Sequence, residues 1–520
     1  MSAKPRIGII GAGLSGLRCA DILIQSGAQV TILEARGRIG GRVHQEEVGG
    51  HLVDLGSNWI HGTGSNPITA IAAATKTVAC DPEGRNLMIT RDGQVLDESS
   101  TTKASDFTWS TIARAFEYSN QQRETISPER SLYDFFQDQL EQTTYSPEEK
   151  EICLDACKLW GGYVGDPIGR QSLKFFCLEE CIDGSNDFVA STYKRILEFV
   201  SQTALAKADI KFNQPVVGIE TPIRNETSIL QQQISVFTAS GDQYTFDELI
   251  VTCPLGWLKQ NTAAFSPPLP SRLLSAIQSI SYGRLEKVYV TFPRAFWHRE
   301  SGQDAENRKA DRPTPGAVSA MNPVFTQFLE PAYADHPEGM EWNQECLSLA
   351  ALPAPCNHPT LLFYTYGPCS TYIVDQISSL DPQSPEYRET LIKFFQPFYS
   401  KFPGYDPSSS DCVPTGILAT QWQKDPYSGN GSYCNFQVGL TQADKDIEIL
   451  RSGAGAGFER GLWFAGEHTA PFVALGTTTG AYWSGERAAM QVCEKLGLRH
   501  VGVTPGSLRD DSLPSATPAK

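Results

Sequence analysis

The chain lacks any apolar run long enough to cross a lipid bilayer. None of the hydrophobic stretches in its 520 residues approaches the length of a membrane-spanning helix, about 18–20 residues. The first residues, MSAKPRIGIIGAG, lead at once into a strand-like segment, which leaves no room for a signal peptide. The final residues, SATPAK, are not a peroxisomal signal. We therefore expect a cytoplasmic protein with no membrane partner.

Positive charge is also scarce. The chain has 43 Lys and Arg residues against 59 Asp and Glu residues, for a net charge of −16. A nucleic-acid-binding surface needs clustered basic side chains, so we expect no nucleic-acid partner. An acidic protein suits a cationic small-molecule substrate, although acidity alone does not identify one. Nothing in the composition indicates an oligomeric state.

An even set of cysteines, as a disulfide framework would require, is absent. The thirteen cysteines, in a chain with no export signal, indicate reduced thiols. Two pairs have a spacing of four residues, Cys153 with Cys157 and Cys177 with Cys181. They could be a metal set, but no histidine lies near them. We interpret them as buried structural thiols and predict no metal site.

A dinucleotide-binding pattern lies at the start of the chain. In RIGIIGAGLSGLRCADILIQSGAQVTILE (residues 6–34) an apolar strand precedes Gly11, Gly13 and Gly16, and a helical pattern and a second strand follow. The glycines permit a tight turn and close approach to a pyrophosphate, which the N-terminus of the helix attracts. Glu34, at the end of the second strand, is placed to accept hydrogen bonds from ribose hydroxyls.

Two further segments bear on the choice between FAD and NAD, because they resemble the FAD-binding motifs of a flavoenzyme family. In EARGRIGGR (residues 34–42), Arg36 and Arg42 bring guanidinium groups near the phosphates, and Gly40 and Gly41 let the loop pass close to them. Residues 461–489 predict a strand, a turn at Gly466 and Glu467, and a helix that begins near 477–480. The N-terminus of this second helix can stabilise negative charge on a reduced flavin ring.

These motifs resemble the FAD-dependent amine oxidases, and within them the polyamine and spermine oxidases. VTCPLGWLK (251–259) and YGRLEKVYVTF (282–292) are similar to blocks of that family, whereas LWGGYVGDP (159–167) resembles its fungal branch. The resemblance implies a two-domain α/β fold, in which a Rossmann-like FAD-binding domain (1–82, 206–295 and 440–500) is interleaved with an α+β substrate domain (83–205 and 296–439). Residues 298–345 fit least well and are interpreted as a long loop, and 507–520 as a disordered tail.

The family chemistry removes a hydride from a carbon next to nitrogen. FAD N5 accepts the hydride, water hydrolyses the imine, and O₂ reoxidises the flavin to give H₂O₂. Lys287, in the strand-like LEKVYVTF, matches the family lysine that holds a water at N5, and burial would lower its pKa. An exposed strand lysine is the alternative.

The stretch GSNWIHGTGSNP (residues 56–67) has the composition of a loop. It resembles the polyamine oxidase loop whose histidine reaches the substrate, which makes His61 a catalytic candidate and Trp59 a substrate-binding one. Local packing is the alternative for His61.

The segment QWQKDPYSGNGSYCNF (421–436) resembles the part of a monoamine oxidase that carries the first of two tyrosines, the cage tyrosines, which wall the cavity over the flavin. Ser432 stands where a monoamine oxidase has the cysteine that bonds to FAD, and Cys434 is two residues late, so we expect non-covalent FAD. Tyr433 would wall the cavity over the flavin. The second cage tyrosine falls near Thr477, which leaves that wall open to secondary amines. Trp422 would pack at the flavin edge, or simply in the core.

The resemblance also suggests residues with less specific support. The distant amines of a polyamine need carboxylates, and EECIDGSND (179–187) offers Glu180, Asp183 and Asp187, although such a run is also typical of a solvated loop. The remaining flavin contacts are predicted at Ala35, Val216, Glu467 and Thr478.

Several alternatives stay open at this point. The enzyme could oxidise another primary or secondary amine, such as an intermediate of secondary metabolism. An amino-acid oxidase would need an arginine clamp for the carboxylate, which we do not find. A histone demethylase would carry an extra N-terminal domain and a long helical insertion. An inactive flavin-bound interaction module is disfavoured by the presence of both Lys287 and His61.

Overall fold

A computed structural model describes residues 4–82, 84–222, 233–298, 322–499 and Gly502. In these residues the strands, in chain order, are β1 (Arg6–Ile10), β2 (Gln29–Leu33), β3 (Gln45–Val48), β4 (His51–Asp54), β5 (Trp59–Ile60), β6 (Arg85–Ile89), β7 (Asp187–Phe188), β8 (Asp209–Lys211), β9 (Val216–Glu220), β10 (Ile234–Thr238), β11 (Gln243–Phe246), β12 (Glu248–Val251), β13 (Phe265–Ser266), β14 (Ser281–Tyr282), β15 (Leu285–Thr291), β16 (Pro323–Phe328), β17 (Gln344–Ser348), β18 (Thr360–Tyr366), β19 (Gly416–Ala419), β20 (Cys434–Asn435) and β21 (Leu462–Phe464). The α-helices are α1 (Leu14–Gln25), α2 (Pro67–Thr75), α3 (Glu98–Gln122), α4 (Leu132–Glu141), α5 (Pro147–Lys158), α6 (Gly161–Val164), α7 (Lys194–Lys207), α8 (Leu255–Gln260), α9 (Ser271–Ser279), α10 (Gly367–Ile377), α11 (Pro385–Tyr399), α12 (Ala443–Ser452), α13 (Ala456–Arg460) and α14 (Thr478–Leu496).

A five-stranded parallel sheet in the order β21-β12-β1-β2-β8 forms the first layer. Alternate residues along its strands enter two separate cores: Ile7 and Ile9 pack on the side of α1, α7 and α14, whereas Ile10 packs on the opposite side. Burial on both faces explains why β1 and β2 read as nearly continuous apolar runs. This is the Rossmann-like unit that the sequence predicts.

A six-stranded sheet in the order β19-β15-β18-β17-β16-β6 forms the second unit. One of its faces packs on α10 and α11 through residues such as Val288, Phe363 and Phe395. The other face carries Tyr289, Leu362 and neighbouring side chains, and is turned toward the first unit. Helices α3, α4 and α5 add a separate helical cluster beside this sheet. The predicted two-domain α/β class is confirmed.

The predicted domain boundaries need two changes, and the division itself stays a proposal. The boundary at 205/206 falls within α7, whose residues Ile196 and Val200 pack in the core of the parallel sheet. The boundary at 295/296 assigns β15 to the FAD-binding domain, but β15 pairs with β18 and β19 in the six-stranded sheet. We propose that α7 belongs to the FAD-binding unit and β15 to the substrate unit.

The long loop predicted for 298–345 is wrong where the structure describes that segment. Pro323–Phe328 and Gln344–Ser348 are strands that pair with each other, and Pro323–Phe328 also pairs with β6. Residues 299–321 lie outside the described part, as does the predicted tail at 507–520. Among the described residues, no helix combines the length and the apolarity that a membrane span requires.

Candidate active site

A cavity of about 1160 Å³ lies between the two units. Its floor includes the carboxyl ends of β1 and β2, which is where open α/β sheets bind ligands. Its far wall is the inner face of the six-stranded sheet. Among the site residues predicted from sequence, those on the cavity wall are Gly11, Gly13, Glu34, Ala35, Arg36, Gly41, Arg42, Trp59, His61, Val216, Lys287, Trp422, Tyr433, Glu467, Thr477 and Thr478. Gly16, Glu180 and Asp183 are not part of that wall.

Each of the three glycines in the first turn suits its position for a different structural reason. Gly11 has a φ of +103°, a conformation that favours glycine. A Cβ on Gly13 would meet nothing within 4 Å, so this position leaves open space at the cavity. A Cβ on Gly16 would overlap the carbonyl oxygen of Gly11. Gly16 therefore allows α1 to pack close to β1 and does not itself reach the cavity.

Two helices begin at the cavity. Gly13 is the N-cap of α1 and supplies no side-chain cap, so the first N–H groups of α1 are available to an anion. At α14, the Thr477 hydroxyl accepts a hydrogen bond from Gly480 N at 3.0 Å. Thr477 thus lines the cavity while its hydroxyl caps a helix, a role that sequence comparison with cage tyrosines did not reveal.

Glu34 is held in a fixed orientation at the end of β2. Its carboxylate accepts hydrogen bonds from the backbone N–H groups of Ala12, at 2.8 Å, and Arg36, at 2.9 Å. The Arg36 guanidinium pairs in turn with Asp425 and donates to Ser428 Oγ at 3.1 Å. These contacts tie the glycine turn to the segment after β2, and the predicted role of Glu34 toward ribose hydroxyls stays a prediction.

Arg42 and Glu467 form a buried pair on the cavity wall. Their N–O distance is 3.1 Å, and Arg42 also donates to the Ser432 carbonyl at 2.5 Å. Burial alone would raise the pKa of Glu467, but Arg42 and His468 outweigh it and lower that pKa. The second oxygen of Glu467, Oε2, is buried and lacks a hydrogen-bond partner among the described residues.

These observations fit a dinucleotide cofactor. The turn offers open space at Gly13, free N–H groups at α1 and the rigid Glu34 acceptor. Arg36 and Arg42 add positive charge on the cavity wall, and Glu467 lines the same cavity. Each of these groups suits a different part of FAD: pyrophosphate, ribose and the isoalloxazine side of the molecule.

Lys287 faces inward from β15, with 5% of its surface exposed. Its Nζ donates to the carbonyl of Gly56 and lies 3.5 Å from that of Asp54. Burial lowers the pKa of Lys287 to about 7, and the opposing effect of the Asp54 carboxylate is smaller. The structure therefore places an amine that loses its charge near neutral pH on the wall of the cavity.

Asp54 is a partner of Lys287 that sequence reasoning missed. Burial raises the pKa of its carboxyl group, whereas Gln45 and Lys287 act in the opposite direction. Its two oxygens accept from Tyr193 N at 3.2 and 2.9 Å, and Gln45 donates to it at 2.6 Å. An aspartate at the end of the apolar segment HLVD was the available signal.

The loop that carries His61 is more ordered than its composition indicates. Trp59–Ile60 pairs as a short antiparallel strand with Asp187–Phe188, a pairing that the sequence alone did not reveal. Gly62 N donates to Asn186 Oδ1 at 3.0 Å, and Gly64 N donates to the Asp183 carbonyl at 2.8 Å. Asp183 therefore supports this loop through its backbone.

His61 and Trp59 both reach the cavity from that loop. Burial lowers the pKa of His61, and a side-chain hydrogen bond with Asn186 partly opposes the shift. The imidazole is consequently neutral at neutral pH. Trp59 Nε1 donates to the Tyr364 hydroxyl at 3.1 Å, which fixes the indole against the inner face of the six-stranded sheet. Ile60 points the other way, into the core beneath.

The remaining wall groups surround Tyr433. Its hydroxyl donates to the Tyr163 carbonyl, and its ring borders the cavity. Ser432 also lies on the wall, and its Oγ accepts from Leu285 N at 3.4 Å. Cys434 lies on the wall as well, and burial raises the pKa of its thiol well above the ordinary value. Trp422 Nε1 donates to the Leu55 carbonyl at 3.2 Å.

The acidic segment at 179–187 contributes a different carboxylate from those predicted. Glu179 lies on the cavity wall, whereas Glu180 lies beside it and Asp183 is exposed. Glu179 Oε1 accepts from Gln171 at 3.4 Å and Phe436 N at 3.3 Å. Burial raises the pKa of Glu179 to about 7. A one-residue difference in a turn decides which side chain points inward, and no periodic pattern marks it.

Comparison with known proteins supports the same assignment. Residues 14–493 match the family model described as flavin containing amine oxidoreductase. Similar proteins include probable polyamine oxidase 4 of Arabidopsis thaliana, 26% identical over 57% of this chain and 60% of that protein. Polyamine oxidase 4 of Oryza sativa subsp. japonica is 25% identical over 96% of this chain and 91% of its own length. The Homo sapiens peroxisomal N(1)-acetyl-spermine/spermidine oxidase is 25% identical over 93% of this chain and 94% of its own. Placement in a fungal branch stays a prediction.

Proposed function

The chain belongs to the flavin-containing amine oxidoreductases, which are FAD-dependent enzymes, and on that premise we propose that its substrate is a polyamine, oxidised at a C–N bond with O₂ as the final acceptor. The coarser statement, an FAD-dependent amine oxidase, follows from family membership. The names of relatives from rice and human support the narrower one.

The observation that carries the polyamine proposal is the Glu179 carboxylate. It lies on the same wall as Tyr433, and its charge contributes to the raised pKa of Tyr433 after the larger effect of burial. None of the ion pairs among the described residues involves Glu179. A partly buried carboxylate without a cation is costly, and a second ammonium group of the substrate would compensate it. A monoamine has no such group.

At the reacting end, the proposed work of the protein is to handle protons and to position the amine. Bound FAD supplies the hydride acceptor. The neutral His61 imidazole can accept a proton from a substrate ammonium, which must become a free amine before its carbon can lose hydride. Lys287, with its lowered pKa, presents a hydrogen-bonding amine at the same cavity.

The aromatic side chains would exclude water around the reacting carbon. Trp59, Tyr364 and Tyr433 line the cavity and are each fixed by a hydrogen bond at the polar end of the ring. Their apolar faces suit the methylene segments of a polyamine, and their electron-rich rings suit its ammonium groups.

We propose that FAD is held without a covalent bond. Ser432 has a hydroxyl where a thioether would need sulfur. Cys434, the nearest thiol in sequence, is buried with a raised pKa, so it is protonated and a poor nucleophile at neutral pH.

The alternative is an FAD amine oxidase for another primary or secondary amine. The open wall at Thr477 is compatible with a substituent on either side of the nitrogen, so it does not discriminate between these substrates.

The proposal is tested by offering the purified holoenzyme equal concentrations of spermine, spermidine, their N-acetylated forms, benzylamine and butylamine. Production of H₂O₂ is followed with a peroxidase-coupled dye, and the products are identified by mass spectrometry. We expect turnover with at least one polyamine and none with the monoamines. Turnover restricted to monoamines would favour the alternative.

A further inference from the structure

Four side chains form a row across the inner face of the six-stranded sheet. Lys287 on β15 is directly opposite Tyr364 on β18. Tyr364 is opposite Glu345 on β17, and Glu345 is opposite Gln327 on β16. Residues paired in register point to the same face of a sheet, and all four line the cavity. The row therefore connects the reacting end, at Lys287, with a carboxylate two strands away.

Glu345 is a carboxylate without a cation. Its exposed fraction is 8%, and burial raises the pKa of its carboxyl group. Oε2 accepts a hydrogen bond from Gln327 Nε2 at 2.8 Å. Lys287 lies on the same row of the sheet, but its charge interacts with Asp54 and not with Glu345. In the described part of the chain, no lysine, arginine or histidine forms an ion pair with Glu345.

Aromatic rings flank this carboxylate. Tyr163 lines the same cavity as Glu345, and 41% of its surface is exposed. The Tyr163 ring stacks on Trp160, with a centroid distance of 5.2 Å, and both residues line the cavity. Phe325, on the β16 strand, lies on the same face as Gln327. A carboxylate flanked by aromatic rings is suited to an alkylammonium group.

The spacing of the row sets the reach of a ligand. Adjacent strands lie about 4.8 Å apart, so two spacings separate Lys287 from Glu345 by about 10 Å. An extended chain advances about 1.2 Å per bond, from the reach of about 3.5 Å for the three bonds of a peptide residue. A ligand that joins the two positions therefore needs about eight bonds between its nitrogens, roughly the full length of a triamine.

We propose that Glu345, positioned by Gln327, is the subsite for the distal ammonium of the substrate, and that it selects amines long enough to cross the sheet from Lys287. The inference rests on the proposed function and extends it, because Glu179 lies near Tyr433 at the reacting end whereas Glu345 lies two strands away. A short diamine would reach only the reacting end.

The test measures binding to the holoenzyme through perturbation of the flavin absorbance spectrum under anaerobic conditions. The probes are octylamine, 1,8-diaminooctane and 1,4-diaminobutane, which separate the effect of the second ammonium from that of chain length. In the wild type we expect 1,8-diaminooctane to bind about 10-fold or more tightly than octylamine, as one charge-assisted hydrogen bond provides.

Glu345→Gln is nearly isosteric and can keep the hydrogen bond with Gln327. We expect it to weaken binding of 1,8-diaminooctane about 10-fold and to leave octylamine and 1,4-diaminobutane unchanged. Glu345→Asp retains the charge on a shorter side chain. Its affinity for 1,8-diaminooctane should lie between those of the wild type and Glu345→Gln. Glu338→Gln, a neutralisation on the exposed surface, is the matched control and should leave all three affinities unchanged.

The proposal would be overturned if the ratio of the affinities for 1,8-diaminooctane and octylamine were the same in the wild type and in Glu345→Gln. It would also be overturned if the wild type bound the two ligands equally well. Glu345 would then be a structural partner of Gln327. Failure of the proposed function has a different signature, since no polyamine would reduce the flavin of the wild type.

Discussion

At the scale of single residues, the polar groups of the cavity are defined by their loss of water. Lys287, Asp54 and His61 are all shifted toward their neutral forms, and burial is the largest cause in each case. The sequence indicates that Lys287 faces inward, because it stands among β-branched and aromatic residues. It marks Asp54 only as an aspartate at the end of the apolar segment HLVD, and the contact of Asp54 with Lys287 joins segments that are distant in sequence.

The pKa of Lys287 makes stability depend on pH in a defined direction. The folded pKa is about 7 and the ordinary value is 10.5, so between them the unfolded chain binds a proton that the folded chain does not. Stability contributed by this site therefore rises with pH across that window, by up to about 1.4 kcal/mol per pH unit. Lys287→Met removes the site. Its free energy of unfolding should exceed that of the wild type most near pH 7, and the excess should shrink toward pH 10.

Urea denaturation of the two holoenzymes at several pH values measures this difference. The Asp54 carboxyl group also titrates near pH 7, so the slope from pH 8 to pH 10, where that group is ionised, gives the contribution of Lys287. A difference that stays constant from pH 7 to 10 would show that Lys287 is charged in the folded protein.

His61 gives the second prediction at this scale. If its neutral imidazole accepts a proton from the substrate or holds the free amine, His61→Ala should reduce kcat/KM by ~1–3 kcal/mol in transition-state stabilisation. His61→Asn should recover part of the loss if hydrogen bonding is the main contribution. FAD content and melting temperature should change little.

His336→Ala is the matched control, because it also removes a partly buried imidazole but does so away from the cavity, where His336 stacks on Trp342. Its kinetics should equal those of the wild type. A lower melting temperature with normal kinetics in His61→Ala would assign His61 to packing instead.

At the scale of elements, the sequence predicts the helices and strands that follow from local patterns, but it does not predict strand pairing between distant segments. The βαβ unit at 6–34 and the helix that starts near 477 follow from glycine spacing and apolar periodicity, and the structure contains both. The strand at 59–60 and those at 323–328 and 344–348 were missed, since each is stabilised by a partner far away in sequence. The choice of Glu179 over Glu180 likewise depends on how a turn packs.

The His61 loop provides a prediction for an element. Gly62 has a φ of +67°, and a Cβ there would overlap the Ile182 carbonyl, so the loop docks on the 182–186 segment through a glycine. Gly62→Ala should displace the loop, lower activity at least as much as His61→Ala, and destabilise the protein. Gly50 has a φ of +83° with nothing within 4 Å of a Cβ, so Gly50→Ala carries only the backbone strain of about 1–2 kcal/mol.

Melting temperature and kcat/KM are measured for both alanine variants. If Gly62→Ala and Gly50→Ala had comparable kcat/KM values, docking of the loop on residues 182–186 would not matter for the site. A selective loss in Gly62→Ala is the expected result.

At the scale of the whole molecule, one cavity between two units brings together the residues proposed to hold the cofactor and those proposed to contact the substrate, which come from distant parts of the chain. Gly13 and Glu34 belong to the parallel sheet unit, whereas Lys287, Tyr364 and Glu345 belong to the six-stranded sheet. The sequence motifs identify most of the first group. The second group requires the register of the sheet, and only Lys287 could be predicted.

Attachment of the cofactor is testable on the intact protein. With Ser432 in place of a bonding cysteine and Cys434 protonated, acid or heat denaturation should release the flavin colour into the supernatant. Cys434→Ser should retain FAD in the native state and release it in the same way. Flavin that stays with the precipitated wild-type protein would contradict the proposal.

The most direct test of the account is anaerobic rapid mixing of the holoenzyme with spermine or spermidine, following the flavin absorbance. We expect a polyamine to bleach the flavin in a single turnover, and we expect Lys287→Met to slow that reduction or the subsequent reoxidation at least ~10-fold with FAD content unchanged. An oxidised spectrum that persists in the wild type with every polyamine would contradict a polyamine oxidase built on this cavity.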